Sequence, residues 1–394
     1  MSANSSRWAM SRGLNVQNHT YEAPCLSQLV FNLAKLFVAG MMVLAALPGL
    51  SRAGDKSVTV TAWADYLPPD VISEFEARTG IDVIYDTFDS LEVLETKLLT
   101  GASGYDVVFP SALVANRLIQ AGALQTLDRE RLSNHVNLDP AILRFLAAHD
   151  PGNQYGVPYL WGTTGILYNP ALISERLETA PIDSLDMIFD PDILSKVADC
   201  GVAMIDSPEE VMAIALNYLG LDPFTSDADD FKAVDGLLTA IRPHVRHFRT
   251  GSLINELADG DLCLVLGWSG DAGLAQARAL EAQTGVEVAY ALPREGTEIF
   301  FDFLSIPADA PNPDHAHTFI NFLMEPKAIA AVTNLYYYPN GNKAALEFVL
   351  QEVREDPSVY PADELMAKLF PNLPRDQKTL RLLTRSWTRF KSGT

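Results

Sequence analysis

Two short runs place carboxylates in surroundings that tolerate them poorly. The run LVLGWSGD (residues 264–271) ends in Asp271, and FFDF (residues 300–303) surrounds Asp302; each has a large ring within three residues and neither contains Lys or Arg. A carboxylate desolvated without a partner costs several kcal/mol, so both acids require a cation from elsewhere in the fold or from outside it. The chemistry to expect is recognition of a cation that is not part of the chain. Strand periodicity puts Phe300 and Asp302 on one face, although a buried Asp accepting backbone hydrogen bonds fits the same pattern. Asp271 also stands where a helix beginning near Ala272 would take its N-cap. In Ser207-Pro208-Glu209-Glu210 the spacing from Ser207 to Glu210 is that of a capping box, which leaves Glu209 as the free acid, with the helix dipole as its other use.

Trp63, Tyr66, Trp268, Phe300 and Tyr338 fall at predicted strand ends or loop starts. Each alone reads as core. With the acids they form a box for an ammonium group, each face contributing about 0.5 to 2 kcal/mol when desolvated. Two ammonium groups joined by methylenes would fit acids at both ends and rings along the middle. An amino acid would need an Arg for its carboxylate, and none stands at these strand ends. Metal or cofactor chemistry is not expected: His315-Ala316-His317 and the cysteines lack ligand spacing, and there is no phosphate loop or GxSxG. Paired acids with aromatic platforms also suit a secreted glycoside hydrolase, which is the competing reading.

The elements that position these residues follow a βαβ rhythm. Residues 58–63 alternate like a strand, Pro68-Pro69-Asp70 opens a helix closed by Gly80, and residues 81–85 make a second strand. Asp89 with Glu92 suggests an acidic capping box for the next helix, ended by Gly101, and residues 105–110 form a third, apolar strand. This order implies a parallel sheet with ligands at the carboxyl ends of its strands, where Trp63, Tyr66 and Ser111 lie. The glycine-rich run at residues 155–169 suits a segment crossing between lobes. A second α/β pattern follows, with strands at 201–205 and 262–266, helices at 208–219 and about 272–283, then the strand holding Asp302 and a broken helical tail from 344.

A chain of 394 residues is long for one core, so two lobes are expected. The formal charge of −21 deepens to −24 without residues 1–53, which hold four basic groups and one acid. Such a surface disfavours nucleic acid and concentrates small cations. The apolar run at 36–50, followed by Ser51-Arg52-Ala53, reads as a signal peptide cleaved after Ala53. Export leaves Cys200 and Cys263, either a disulfide or two buried thiols.

The ordered motifs TAWADY, ARTGIDVIYDTFDS, GYDVVFPS, PYLWGTTGILYN, DSPEEV, LNYLG, GDLCLVLGWSGD, FFDF, YPNGNKAA and RSWTRFKSG run through nearly all of the mature length. In them the chain resembles the periplasmic polyamine-binding proteins of bacterial ABC importers, the putrescine-binding members above all. The resemblance implies an α/β type II periplasmic-binding-protein fold and no enzymatic activity. Its lobes would be residues 54–160 with 298–334, and 161–297 with 335–394, joined by crossing hinge segments with the ligand between them. It implies that Asp302 grips one ammonium while Glu209 and Asp271 lie toward the other, that Ser111 and Asp65 add polar contacts, and that Trp63, Tyr66, Trp268, Phe300 and Tyr338 form the box. It also implies a Cys200–Cys263 disulfide, a periplasmic monomer, and a permease as partner. Phe300 stands where spermidine-preferring relatives carry Trp, which favours putrescine, with a spermidine binder or polyamine sensor as the alternative. Ala64 departs from the pattern, replacing a hydroxyl residue.

Overall fold

The computed structural model describes residues 56–393; the expected leader lies outside them. Strand β1 (Ser57–Trp63) buries Val58, Val60 and Ala62 completely, as its alternation dictates. Pro69 then opens α1 (Pro69–Thr79), its ring having preset the helical φ, and Gly80 ends it at φ 66°, a conformation that favours glycine. Strand β2 (Asp82–Phe88) returns parallel to β1, and helix α2 (Leu91–Thr100) follows. The cap of α2 differs from expectation. Ser90 takes that place, accepting the Val93 amide at 3.4 Å and donating to Glu92, because the helix starts one residue later than an Asp89 cap requires.

The third strand, β3 (Val107–Val108), is shorter than the apolar run around it and lies parallel to β1. Helix α3 (Ala112–Gln120) follows, and β4 (Gly156–Tyr168) is the long crossing strand. Next come β5 (Val202–Met204), α4 (Pro208–Tyr218), β6 (His247–Phe248), β7 (Leu264–Trp268), α5 (Ser269–Ala282), β8 (Ala289–Ala291) and β9 (Glu298–Ser305). Strand β10 (Phe370–Pro371) and helix α6 (Gln377–Ser392) complete the elements that matter to the site. The sheet order is β2-β1-β3-β9-β4-β7-β5-β6, with β10 added to β9 and β8 to β4.

Two halves meet along β4. Its first part pairs antiparallel with β9, from Gly156 opposite Ser305 to Thr163 opposite Ile299, and its second part pairs with β7, from Thr164 to Tyr168. Separate apolar cores flank this strand. One gathers Val58, Phe75, Phe109, Tyr159 and Phe319 together with Tyr338, Val349 and Val359, and the other gathers Ile166, Met204, Leu216 and Leu266 together with Leu383, Trp387 and Phe390. The tail thus contributes to both, its earlier part to the first and α6 to the second. A smaller cluster takes Ile299, Phe301 and Phe303 from β9, so the alternate residues Glu298, Phe300 and Asp302 point away from it.

Cys200 and Cys263 form a disulfide just ahead of the neighbouring parallel strands β5 and β7. No helix among the described residues is long and apolar enough to cross a membrane.

Candidate functional site

The cleft beside β4 collects residues from strand ends on both sides. Trp63 ends β1, Trp268 ends β7, and Ser111 caps α3, accepting the Val114 amide at 3.4 Å. All ten residues singled out above line a single cavity: Trp63, Asp65, Tyr66, Ser111, Glu209, Trp268, Asp271, Phe300, Asp302 and Tyr338. The five rings form a continuous chain. Trp63 and Trp268 lie 5.8 Å apart between centroids, Trp268 and Phe300 6.0 Å, Phe300 and Tyr338 6.1 Å, and Tyr338 and Tyr66 6.3 Å. Two glycines make this possible, since a Cβ on Gly162 would meet the Phe300 ring at 2.6 Å and one on Gly270 the Tyr338 ring at 2.4 Å.

The two acids that opened the sequence argument have matching environments. Asp302, 5% exposed, accepts a hydrogen bond from the Tyr66 hydroxyl, and Asp271, 7% exposed, accepts one from the Tyr338 hydroxyl at 2.7 Å. Neither has a protein cation within salt-bridge distance. Burial pushes both carboxyls up to about 7, against the opposing pull of the phenol hydrogen bonds. Tyr66 and Tyr338 are in turn held far above the ordinary phenol range, by burial first and by the neighbouring carboxylates second. Each acid therefore sits in a site that stabilises its ionised form only when a positive charge arrives.

Three expectations about local structure are corrected. Asp271 is not an N-cap: α5 begins two residues earlier, at Ser269, which turns the Asp271 side chain inward to Tyr338. Ser207 does not complete a capping box, because its hydroxyl donates to Glu210 Oε1 at 2.8 Å instead of accepting an amide. Glu210 Oε2 meanwhile accepts from Thr164 at 2.7 Å and from the Trp268 indole at 2.9 Å, so this acid belongs to the cavity. Glu209 is not free either. It pairs with Arg117 of α3 at 3.2 Å, and Arg117 also holds Glu95 at 2.8 Å. Asp65 pairs with Arg278 and is half exposed.

Sequence reasoning missed Glu210, Glu298, Arg117 and Phe88, all of which line the cavity. Period two from Phe300 and Asp302 would have found Glu298; nothing local in the sequence brings Arg117 to Glu209, 92 residues away.

The chain has relatives among known proteins. A model of the bacterial extracellular solute-binding protein family matches residues 70–362. The putrescine-binding periplasmic protein PotF of Escherichia coli is 45% identical over 358 residues, covering 90% of this chain and 96% of the relative. The putrescine-binding periplasmic protein SpuD of Pseudomonas aeruginosa is also 45% identical, over 352 residues, covering 88% and 95%. Among solved structures, the spermidine/putrescine ABC transporter substrate-binding protein PotD of Streptococcus pneumoniae superposes with a TM-score of 0.71 at 27% identity, covering 86% of this chain and 99% of that one. The match spans both halves of the sheet and both walls of the cleft, and on it the chain belongs to the bacterial extracellular solute-binding proteins.

Proposed function

We propose that the cleft captures a polyamine, putrescine first, in the periplasm and that the protein delivers it to the permease of an ABC importer, without turning it over. One observation carries the reading: Asp271 and Asp302 are buried acids whose hydrogen-bond donors are phenols, and between them runs a chain of aromatic rings. A molecule with an ammonium at each end and methylenes between supplies both missing charges and lays its apolar middle on the rings. The putrescine-binding names of the similar proteins agree with it.

Asp302 would hold one ammonium and Asp271 the other, with the Glu210 and Glu209 carboxylates adding negative potential from α4. Ser111 has a hydroxyl proton to donate, while Asp65, engaged by Arg278, acts from the rim. Capture would proceed by hinge closure about the crossing strands, with contacts from both lobes.

The test is isothermal titration of the protein, stripped of ligand by partial unfolding, with putrescine, cadaverine, spermidine and spermine. One-to-one binding of putrescine is expected. Asp302→Asn should weaken it by a few kcal/mol, as when a buried charge pair loses one member. An unchanged dissociation constant in that variant would sink the assignment.

A further inference from the structure

Charge is distributed unevenly along this chain. Residues 375–394 hold six basic side chains and one acid, a net +5, whereas residues 54–374 carry −29. Helix α6 displays most of that excess. Its apolar face is spent inside the molecule, where Leu383, Trp387 and Phe390 are buried in the core. On the opposite face Lys378, Arg381 and Arg385 are exposed, and steps of three and four residues set them in one line about 10 Å long. Among the described residues none of these three has a carboxylate within ion-pair distance, whereas Arg389 and Lys391, at the far end of the helix, are taken by Asp235 and Asp206. In the helix packed beside α6, Ala228–Ile241, Asp229 pairs with Lys232, Asp230 accepts from Thr225, and Asp227 caps the first turn, so these carboxylates are engaged locally.

We propose that this stripe is a docking surface for the anionic phospholipid headgroups of a bilayer, which holds the protein at the membrane by the outer face of α6. The proposal does not depend on what the cleft binds. The face presents charge without shape. Thr384 and Thr388, which lie along it, donate to carbonyls of their own helix, and no large apolar side chain of α6 is exposed to anchor a protein partner. Mobile headgroups can move to meet a flat row of cations, whereas a folded acidic partner would need carboxylates built at matching positions. The helix adsorbs and does not insert, because the apolar face that an interfacial helix would bury in lipid is already buried in the core. Each basic side chain near an anionic surface raises affinity about fivefold, so three raise it about a hundredfold. The acidic remainder of the chain opposes this little, since charges farther away than about 8 Å are largely screened at physiological salt.

Co-sedimentation tests this, with the protein lacking its expected leader, residues 1–53, and vesicles of phosphatidylcholine alone or with roughly one-third phosphatidylglycerol. Binding is expected to the mixed vesicles only, and it should fade at high salt. Arg381→Glu together with Arg385→Glu should lower the partition tenfold or more while leaving the melting temperature and putrescine titration as in the wild type. Arg144→Glu together with Lys343→Glu, at two other exposed basic residues, changes the net charge equally and should lower the partition less than twofold. Equal binding to both kinds of vesicle, binding to neither, or an equal loss in the two variants would overturn the proposal. If the vesicles were ignored and the α6 variant still abolished ligand uptake by cells, the stripe would be meeting a protein, and the lipid assignment would fall.

Discussion

Burial holds the carboxyls of Asp271 and Asp302 at about 7 in the ligand-free protein, roughly three units above an unburied aspartate. The sign of the consequence follows from linkage. A group whose folded value is raised favours folding fully below about pH 4 and loses that contribution as the pH rises through about 7. These two residues should therefore make the protein without a bound cation progressively less heat-stable as the pH rises from about 4 to about 7. Ammonium binding needs the same groups ionised, so polyamine affinity should move the other way, rising by up to about tenfold per pH unit for each acid across that window. Calorimetric titration from pH 5.5 to 8 checks this; an affinity independent of pH would mean that both acids are already charged before the ligand arrives. The chemistry at this scale was legible in part. Asp302 and Asp271 stand out because apolar neighbours and missing cations make them expensive, which is a local property. Glu210 left its expected capping role and Glu209 gained an ion pair because Trp268, Thr164 and Arg117 come from distant segments, and a capping pattern cannot register them.

Strands and helices aim these side chains, and the aim depends on small residues. In α5, Gly270 sits against the face of Tyr338, leaving no room for a methyl group. Gly270→Ala gains about 1 kcal/mol of helix propensity while pushing the ring that donates to Asp271. Affinity for putrescine should fall about tenfold or more while the melting temperature changes by a few degrees at most, a split that titration and thermal unfolding together would reveal. Affinity equal to wild type would remove Tyr338 from the recognition surface. The periodicities of β1, α1 and β9 were readable in advance because each has one polar and one apolar side. Helix starts were less so: Ser90 took the capping place expected of Asp89, and α5 starts at Ser269, two residues ahead of Asp271, with no side-chain cap at all.

For the molecule as a whole, the Cys200–Cys263 bridge closes a loop of 63 residues that contains α4, β6 and the approach to β7. In the chain-entropy model such a closure stabilises by about 4 kcal/mol. Replacing both cysteines with Ser should lower the free energy of urea unfolding by about that amount, and the wild type treated with a reductant should behave likewise; a loss below about 1 kcal/mol would mean that the packing around β5 and β7 suffices. The two-lobed plan was visible in the repeated strand–helix order and the glycine-rich crossing run. The path of the tail was not, because its segments pack on both cores and its own helical breaks carry no address.

Helix α6 braces the loop ahead of α4: the Trp387 indole donates to Asp206 at 3.0 Å and Lys391 pairs with the same carboxylate. Asp206 precedes Ser207 and the two glutamates of the cleft, so the wall bearing those acids is secured by residues that lie 181 and 185 positions later in the chain. During synthesis the segment that bears Glu209 and Glu210 emerges long before this brace, and until then its side-chain partners are Arg117, Thr164 and Trp268, which all precede α6 in the chain. The last fastening of that wall is thus added only when the final helix docks, after every residue that lines the cavity has been made.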